Sequence, residues 1–389
     1  MAGFNVWQAI HCGQALGCVD EYWAQFWVIS YTDGYERRAL LGQTIKYFFE
    51  SKINYATLNY LATFNALAIL LFIYFSYFNN FTKSKYWILP LLIILSGPTT
   101  TVLFEVLGDP LHISFLIVLL YSMVAYSSRK TFSLISGLIS SVLVVLIHEA
   151  SILLFLPSIY LIYCITQDTR FDFWKVLFAI VLLSTCFSLA FNNQLATQHT
   201  LGIISRDGST IYPRNDALLS FTSLLKHEFY SYFGSINDFA IFLIKIIRVS
   251  LWPIGAILIL INILGDKELL KIFLVLLIAS LPLYIVAHDW GRFEIYTLLI
   301  SIYISGLWST KENRDTLKLN RQIDRVTNLL NNNLRVNKVS ILYLSLFPLI
   351  YISYPYYRIS GLELLNTIYL LLALAMASVM FFTNFIDEK

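Results

Sequence analysis

The sequence predicts an all-α fold, a polytopic transmembrane helical bundle with about ten or eleven spans and periplasmic loops that carry the site. Three observations predict it. Of 389 residues, 58% are hydrophobic and 13% charged, and mean hydropathy is +0.68; soluble domains carry about 25% charged residues. Apolar runs recur along the whole chain, each about as long as a bilayer core requires. The basic residues gather in alternate connecting loops, the bias expected of membrane proteins. A net charge of +3 is too small to point to nucleic acid, and no such partner is expected.

The spans follow in order. Thr57 to Phe78 is the first clear one, and Trp87 to Ser96 is a short one that extends towards Val102. Leu111 to Ser127 comes next, then the pair Thr131 to Ile147 and Ser151 to Ile165, broken by His148-Glu149 and Pro157. Phe173 to Phe191, Val249 to Leu264, Lys271 to Ala287, Phe293 to Trp308, Val339 to Tyr354 and Leu362 to Phe382 complete the set. The aromatic, half-apolar stretch Trp7 to Tyr31 is either a further span or an interfacial segment. The first 18 residues lack the basic flank and apolar run of a cleavable signal and read as mature protein or as the stump of a first helix. Cys164 and Cys186 lie inside apolar runs and are expected to be packing residues, while Cys12 and Cys18 could pair only in an oxidising compartment.

Basic residues set the orientation. Lys83, Lys85, Arg129, Lys130, Arg170, Lys175, a tight turn with Lys267 and Lys271, and a crowded loop from Lys311 to Lys338 fall on one side if the spans alternate. That side is the cytoplasm. The chain then divides into an N-terminal periplasmic or interfacial segment (1–56), a long periplasmic loop (192–240) and a cytoplasmic basic loop (309–338), all within one integral membrane domain spanning 1–389.

The opposite face collects ionisable groups near helix ends, where they tend to mark substrate or ion paths. In Asp33-Gly34-Tyr35-Glu36-Arg37-Arg38, the adjacent arginines suit forked bonds to a phosphate or pyrophosphate, with Asp33 or Glu36 as a base or orienter. The bland reading is an interfacial helix whose arginines reach headgroups. Glu105 to Pro110 suits a broken helix lining a cavity, although an ordinary external loop with two solvated acids is favoured. His148 and Glu149 interrupt an apolar run and could form a base-and-orienter pair, or could simply hydrogen-bond a neighbouring helix. A zinc protease motif fails because position 152 is Ile152, and no other metal-ligand spacing occurs, so no metal or cofactor is expected. His288-Asp289-Trp290-Gly291-Arg292 reads as a tight outer turn in which His288 and Asp289 are candidate proton acceptors, Trp290 stacks on a sugar and Arg292 binds phosphate. Alternatively, Asp289 and Arg292 pair and cap the turn. The long loop adds Arg206 and Arg214, and Lys245 and Arg248 lie one helical turn apart, able to face one lipid headgroup.

Three tracts, Asp33 to Gly42, Ile147-His148-Glu149-Ala150 and His288 to Arg292, together with the span number and the long outer loop, resemble bacterial envelope-polysaccharide membrane proteins. These are the Wzy-type O-antigen or capsule polymerases, the O-antigen ligases and the GT-C glycosyltransferases. The resemblance implies periplasmic-side transfer or polymerisation of undecaprenyl-pyrophosphate-linked repeat units in the bacterial inner membrane. The partners it implies are the polyprenyl-linked glycan, membrane lipid and other polysaccharide-assembly proteins. Arg206 and Arg214 stand nearest to the paired periplasmic arginines of a polymerase. Arginines would stabilise the leaving pyrophosphate and a carboxylate or histidine would take the acceptor proton. The alternative is a transporter or flippase of a lipid-linked or small anionic substrate. It is ranked lower because no inverted repeat is visible and the charges lie towards one face.

Overall fold

A computed structural model describes residues 19, 21–24, 27, 40–49, 55–82, 94, 99, 101–105, 107–169, 171–190, 205–206, 209–210, 234–240, 242–243, 253–254, 256–257, 260, 267–283 and 290–309. Among these the architecture is helical, apart from a two-residue antiparallel ladder that pairs Ser205–Arg206 with Ser209–Thr210. The helices are α1 (Glu21–Ala24), α2 (Leu40–Phe49), α3 (Tyr55–Thr82), α4 (Pro110–Ser127), α5 (Lys130–Ile147), α6 (Ser151–Leu154), α7 (Leu156–Thr166), α8 (Phe173–Ala190), α9 (Lys267–Ser280) and α10 (Trp290–Ser309). A π-helical turn, Thr101–Glu105, precedes α4. Among the described residues, three stretches, Thr57–Phe78, Pro110–Ser127 and Lys130–Ile147, are long and apolar enough to cross a membrane.

Local chemistry sets the helix ends. Asp109 accepts the Leu111 N–H through Oδ1 at 2.9 Å and Pro110 fills the first helical position, where a missing N–H costs nothing. Gly108 before it takes φ +92°, open to glycine without strain. At the far end of α7, Asp168 adopts φ 52° and the Thr169 N–H returns to the Cys164 carbonyl, the bond pattern of a left-handed helix stop. Pro157 opens α7 after the one-residue break at Phe155.

On α5 side-chain placement inverts the soluble pattern. On α5 the buried positions include Ser133, Gly137, Ser140 and Val144, while Phe132, Leu134, Ile135, Leu138, Ile139 and Val142 are exposed. Small residues inward and large apolar ones outward is the arrangement of helices packing in lipid, where close backbone approach replaces hydrophobic burial. Likewise α8 turns Trp174, Phe178 and Val181 outward, and α3 exposes Tyr60, Phe64, Leu71 and Phe75. Cys186 is exposed on α8, so it is not the packing residue the sequence suggested, whereas Cys164 is buried. The central helix is α10, buried from Arg292 through Gly306. It packs on α3 and α9, and a Cβ at Gly306 would stand 2.6 Å from the Ser76 carbonyl oxygen.

These contacts fix the helix directions. Arg292 at the start of α10 meets Asp109 at the start of α4, and Val19 bonds Asn59 near the start of α3 and crowds Gly108. The hairpin from α5 into α6 returns at His148–Glu149 to this first end. At the second end, the Gln167 amide donates to the Ala125 and Ser128 carbonyls beside exposed Arg129 and Lys130. Lys175 and Lys271 also lie towards the second end, on α8 and α9. Lys267 and Lys271 sit within α9 rather than in a turn, and Lys271 Nζ bonds Glu268 at 3.1 Å. Among the described residues the bundle therefore has a basic end and an end of acids, histidines and one arginine.

Candidate functional site

At the first end of the bundle, Arg292 Nη1 donates to Asp109 Oδ2 at 2.9 Å. Tyr296, one turn further along α10, donates its hydroxyl to the same oxygen at 3.1 Å. The other carboxylate oxygen, Oδ1, caps α4. Asp109 is thus held by three donors and is 0% exposed, with Arg292 at 3%. A charge pair so removed from water persists only because its hydrogen bonds are made. The Trp23 ring lies 4.6 Å from the guanidinium carbon and that of Phe293 5.1 Å, so the cation is stacked between aromatic faces. Trp27 Nε1 donates to the Gly108 carbonyl at 2.6 Å, tying Trp27 to the turn that carries Asp109.

His112 stands one turn into α4, its ring 5.9 Å from that of Tyr296. Its Nε2 lies 3.2 Å from the Val102 carbonyl in the π-helical turn. A carbonyl only accepts, so Nε2 carries the hydrogen and Nδ1 of the neutral ring presents a lone pair. Nδ1 is buried and has no hydrogen-bond partner among the described residues.

The His148–Glu149 pair lies at the same end, in the α5–α6 hairpin, with both residues buried. His148 Nδ1 accepts the Ala150 N–H at 3.1 Å. That bond leaves Nδ1 without a hydrogen in the neutral ring, so its 3.7 Å approach to Glu149 Oε2 is not a hydrogen bond. The two residues are therefore not a base and its orienter through Nδ1. Glu294, a further buried acid, lies on α10 two residues from Arg292.

The sequence-predicted residues fall into three groups. Arg292, His148 and Glu149 are described and lie at one end. Arg292 does not occupy an open turn as expected, because the helix already begins at Trp290 and Gly291. Its acid is Asp109, across 183 residues, so the solvated external loop favoured for Glu105 to Pro110 does not hold at Asp109. Apolar flanks and a glycine–proline bracket look alike in a loop and in a buried cap, which is why spacing alone missed Asp109. His112 and Tyr296 carried no local signal, since each sits in a run readable as plain span. Arg206 belongs to the short ladder and Trp290 to α10, their side chains lying outside the described residues. Asp33, Arg37, Arg38, Arg214, Lys245, Arg248, His288 and Asp289 also lie outside them, as does the Asp289–Arg292 cap.

Among the described residues no group of three His, Cys, Asp or Glu side chains could hold a metal ion. No protein-family model, curated protein or solved structure matches the chain.

Proposed function

We propose that the chain is a multi-pass protein of a bacterial inner membrane. It transfers or polymerises glycan carried on undecaprenyl pyrophosphate, at the periplasmic face. The observation that carries this reading is the Asp109–Arg292 pair at the end of the bundle opposite the basic residues. Basic ends lie in the cytoplasm, so the pair belongs to the outer side, level with helix termini rather than at the midplane. That is the depth at which a lipid pyrophosphate meets a soluble glycan.

In the reaction an acceptor hydroxyl oxygen bonds the anomeric carbon, the bond from that carbon to the pyrophosphate oxygen breaks, and the lipid pyrophosphate leaves with both electrons. Arg292 stabilises the charge growing on the leaving oxygens. Asp109 is a positioning residue that fixes the guanidinium. His112 Nδ1 takes the acceptor proton, and Glu149 is the second candidate on the same end. Trp23 over the guanidinium must give way for substrate to reach it, which makes Trp23 the entry element.

A second reading, transport of a lipid-linked or small anionic substrate, draws on the closure of the pair from solvent, since enclosed intramembrane ion pairs also serve as gates. The test is the envelope-polysaccharide ladder of a deletion strain complemented with Arg292→Lys, with membrane abundance measured alongside. Transfer requires the fork of a guanidinium, so the ladder collapses to single units at normal abundance. A normal ladder would overturn the proposal. Single units carried on the lipid and exposed outside, but not extended, separate failed chemistry from failed transport, in which lipid-linked units stay inside.

A further inference from the structure

A cavity of about 270 Å3 lies between α5 and α8, floored by α4 and α7. Both α5 and α8 run along the outer surface of the bundle. Leu134 and Leu138 form one exposed rim and Lys175 the other, so the cavity is a groove that opens sideways. Its floor includes Tyr121, Leu156, Ile159 and Tyr163, and Ala179 and Val176 form its α8 wall. Gly137 lets the Tyr121 ring of the floor lie against α5: a Cβ there would sit 2.9 Å from the Tyr121 hydroxyl oxygen. At 1.5 Å rise per residue, Lys175 lies about 3 Å from the basic end, and Leu156 and Ser141 roughly 15–17 Å from it. Half a bilayer core is about 15 Å, so the groove occupies one leaflet, that of the basic end.

We propose that this groove binds one acyl chain of an anionic phospholipid, with the phosphate held at its mouth by Lys175. Charge complementarity selects the headgroup: Lys175 is 73% exposed at the mouth, and exposed Arg129 and Lys130 share that end of the bundle. Asp172 approaches Lys175 Nζ at 3.8 Å and opposes the selection in part. The apolar lining selects the tail, because neither polar ligands nor water gain from a wall of leucine, isoleucine and tyrosine rings. The site lies in the leaflet opposite the Asp109–Arg292 cluster, so it is distinct from any substrate tail entering there. The inference rests on the membrane reading and not on the transfer chemistry.

The test uses full-length protein in phosphatidylcholine nanodiscs carrying a trace of acyl-diazirine phosphatidylglycerol or, separately, acyl-diazirine phosphatidylcholine. After photolysis, labelled peptides are mapped by mass spectrometry. The phosphatidylglycerol probe should label 134–141 and 156–163 about fivefold more than the phosphatidylcholine probe, the factor one lysine near a membrane surface supplies. Lys175→Ala should erase that preference, Asp172→Asn should raise it, and Ala179→Phe should remove the label from both peptides. Equal labelling by the two probes, or labelling that survives Ala179→Phe, would overturn the proposal. Should Ala179→Phe fail to yield monodisperse protein, the opposite responses of the two exposed variants still decide. Glycan transfer is not read, so a failed transferase assignment leaves this outcome unchanged.

Discussion

The Arg292 guanidinium donates to Asp109 Oδ2 at 2.9 Å, joining the first turns of two helices that lie 183 residues apart in sequence. The same carboxylate caps α4 and accepts from Tyr296. One residue thereby ends a turn, holds a cation and locks α4 to the central helix α10. This triple duty means that any loss of function at Asp109 must be read at matched folded fraction.

Removing one partner of the pair strands the other in a dry site, which typically costs about 3–5 kcal/mol. Arg292→Ala and Asp109→Ala should therefore both lower the detergent melting temperature sharply, with Asp109→Ala the worse because it also loses the cap. The double substitution Asp109→Asn with Arg292→Met should recover most of the loss. Thermal-shift measurement of the purified variants checks this, and additive losses in the double variant would mean that the two side chains are not coupled.

Gly108 takes φ +92°, and a Cβ there would stand 2.7 Å from Val19 Cγ1. Gly108→Ala should destabilise by about 1–3 kcal/mol through backbone strain, with the crowding of Val19 added. Combining it with Val19→Ala should relieve the crowding but not the strain, so only part of the melting temperature returns. Full recovery in the double variant would show that the backbone conformation is not strained for alanine.

Gly306 allows α10 to lie against the Ser76 backbone. Gly306→Leu should force α3 and α10 apart and reduce the yield of folded protein, while Gly306→Ala should do so less severely. The readout is monodisperse yield after membrane extraction. Wild-type yield from Gly306→Leu would contradict this packing.

The helix ends make a topological prediction. In a background with all four cysteines replaced, a cysteine at Lys318 should resist a membrane-impermeant maleimide in intact cells, and one at Gly208 should react. Reversal of the two would place the Asp109–Arg292 end in the cytoplasm.

Much of this was legible in the sequence and some was not, for physical reasons. Hydropathy runs gave Thr57–Phe78, Pro110–Ser127 and Lys130–Ile147 to within a residue, because a bilayer dictates length as well as apolarity. Of the basic residues expected on one side, Arg129, Lys130, Lys175 and Lys271 lie towards one end of the described bundle, while Lys83, Lys85, Arg170 and Lys311 to Lys338 lie outside the described residues. His148 and Glu149 stood out as ionisable groups in an apolar run, and Arg292 as part of the polar cluster from His288 to Arg292. Asp109 was visible but read as solvated, since its partner is remote in sequence and no local spacing encodes it. His112 and Tyr296 were invisible, because an amphipathic side chain in a span looks like packing until its ring nitrogen or hydroxyl is located. The inward Ser133–Gly137–Ser140 stripe has a helical period, but it was hidden by the large apolar residues between its members.

The most direct test of the central claim is in vitro glycan transfer by Asp109→Asn in nanodiscs, using an undecaprenyl-pyrophosphate-linked donor. Asparagine can still cap α4 through its side-chain oxygen but no longer holds Arg292 by charge. The variant is assayed at a temperature where its folded fraction equals that of the wild type. If the Asp109–Arg292 cluster is the transfer site, the rate falls roughly a hundred- to a thousandfold, the usual loss on misplacing one stabilising donor, while donor binding persists. Wild-type transfer at matched folded fraction would contradict the account, leaving the pair a structural clamp between α4 and α10.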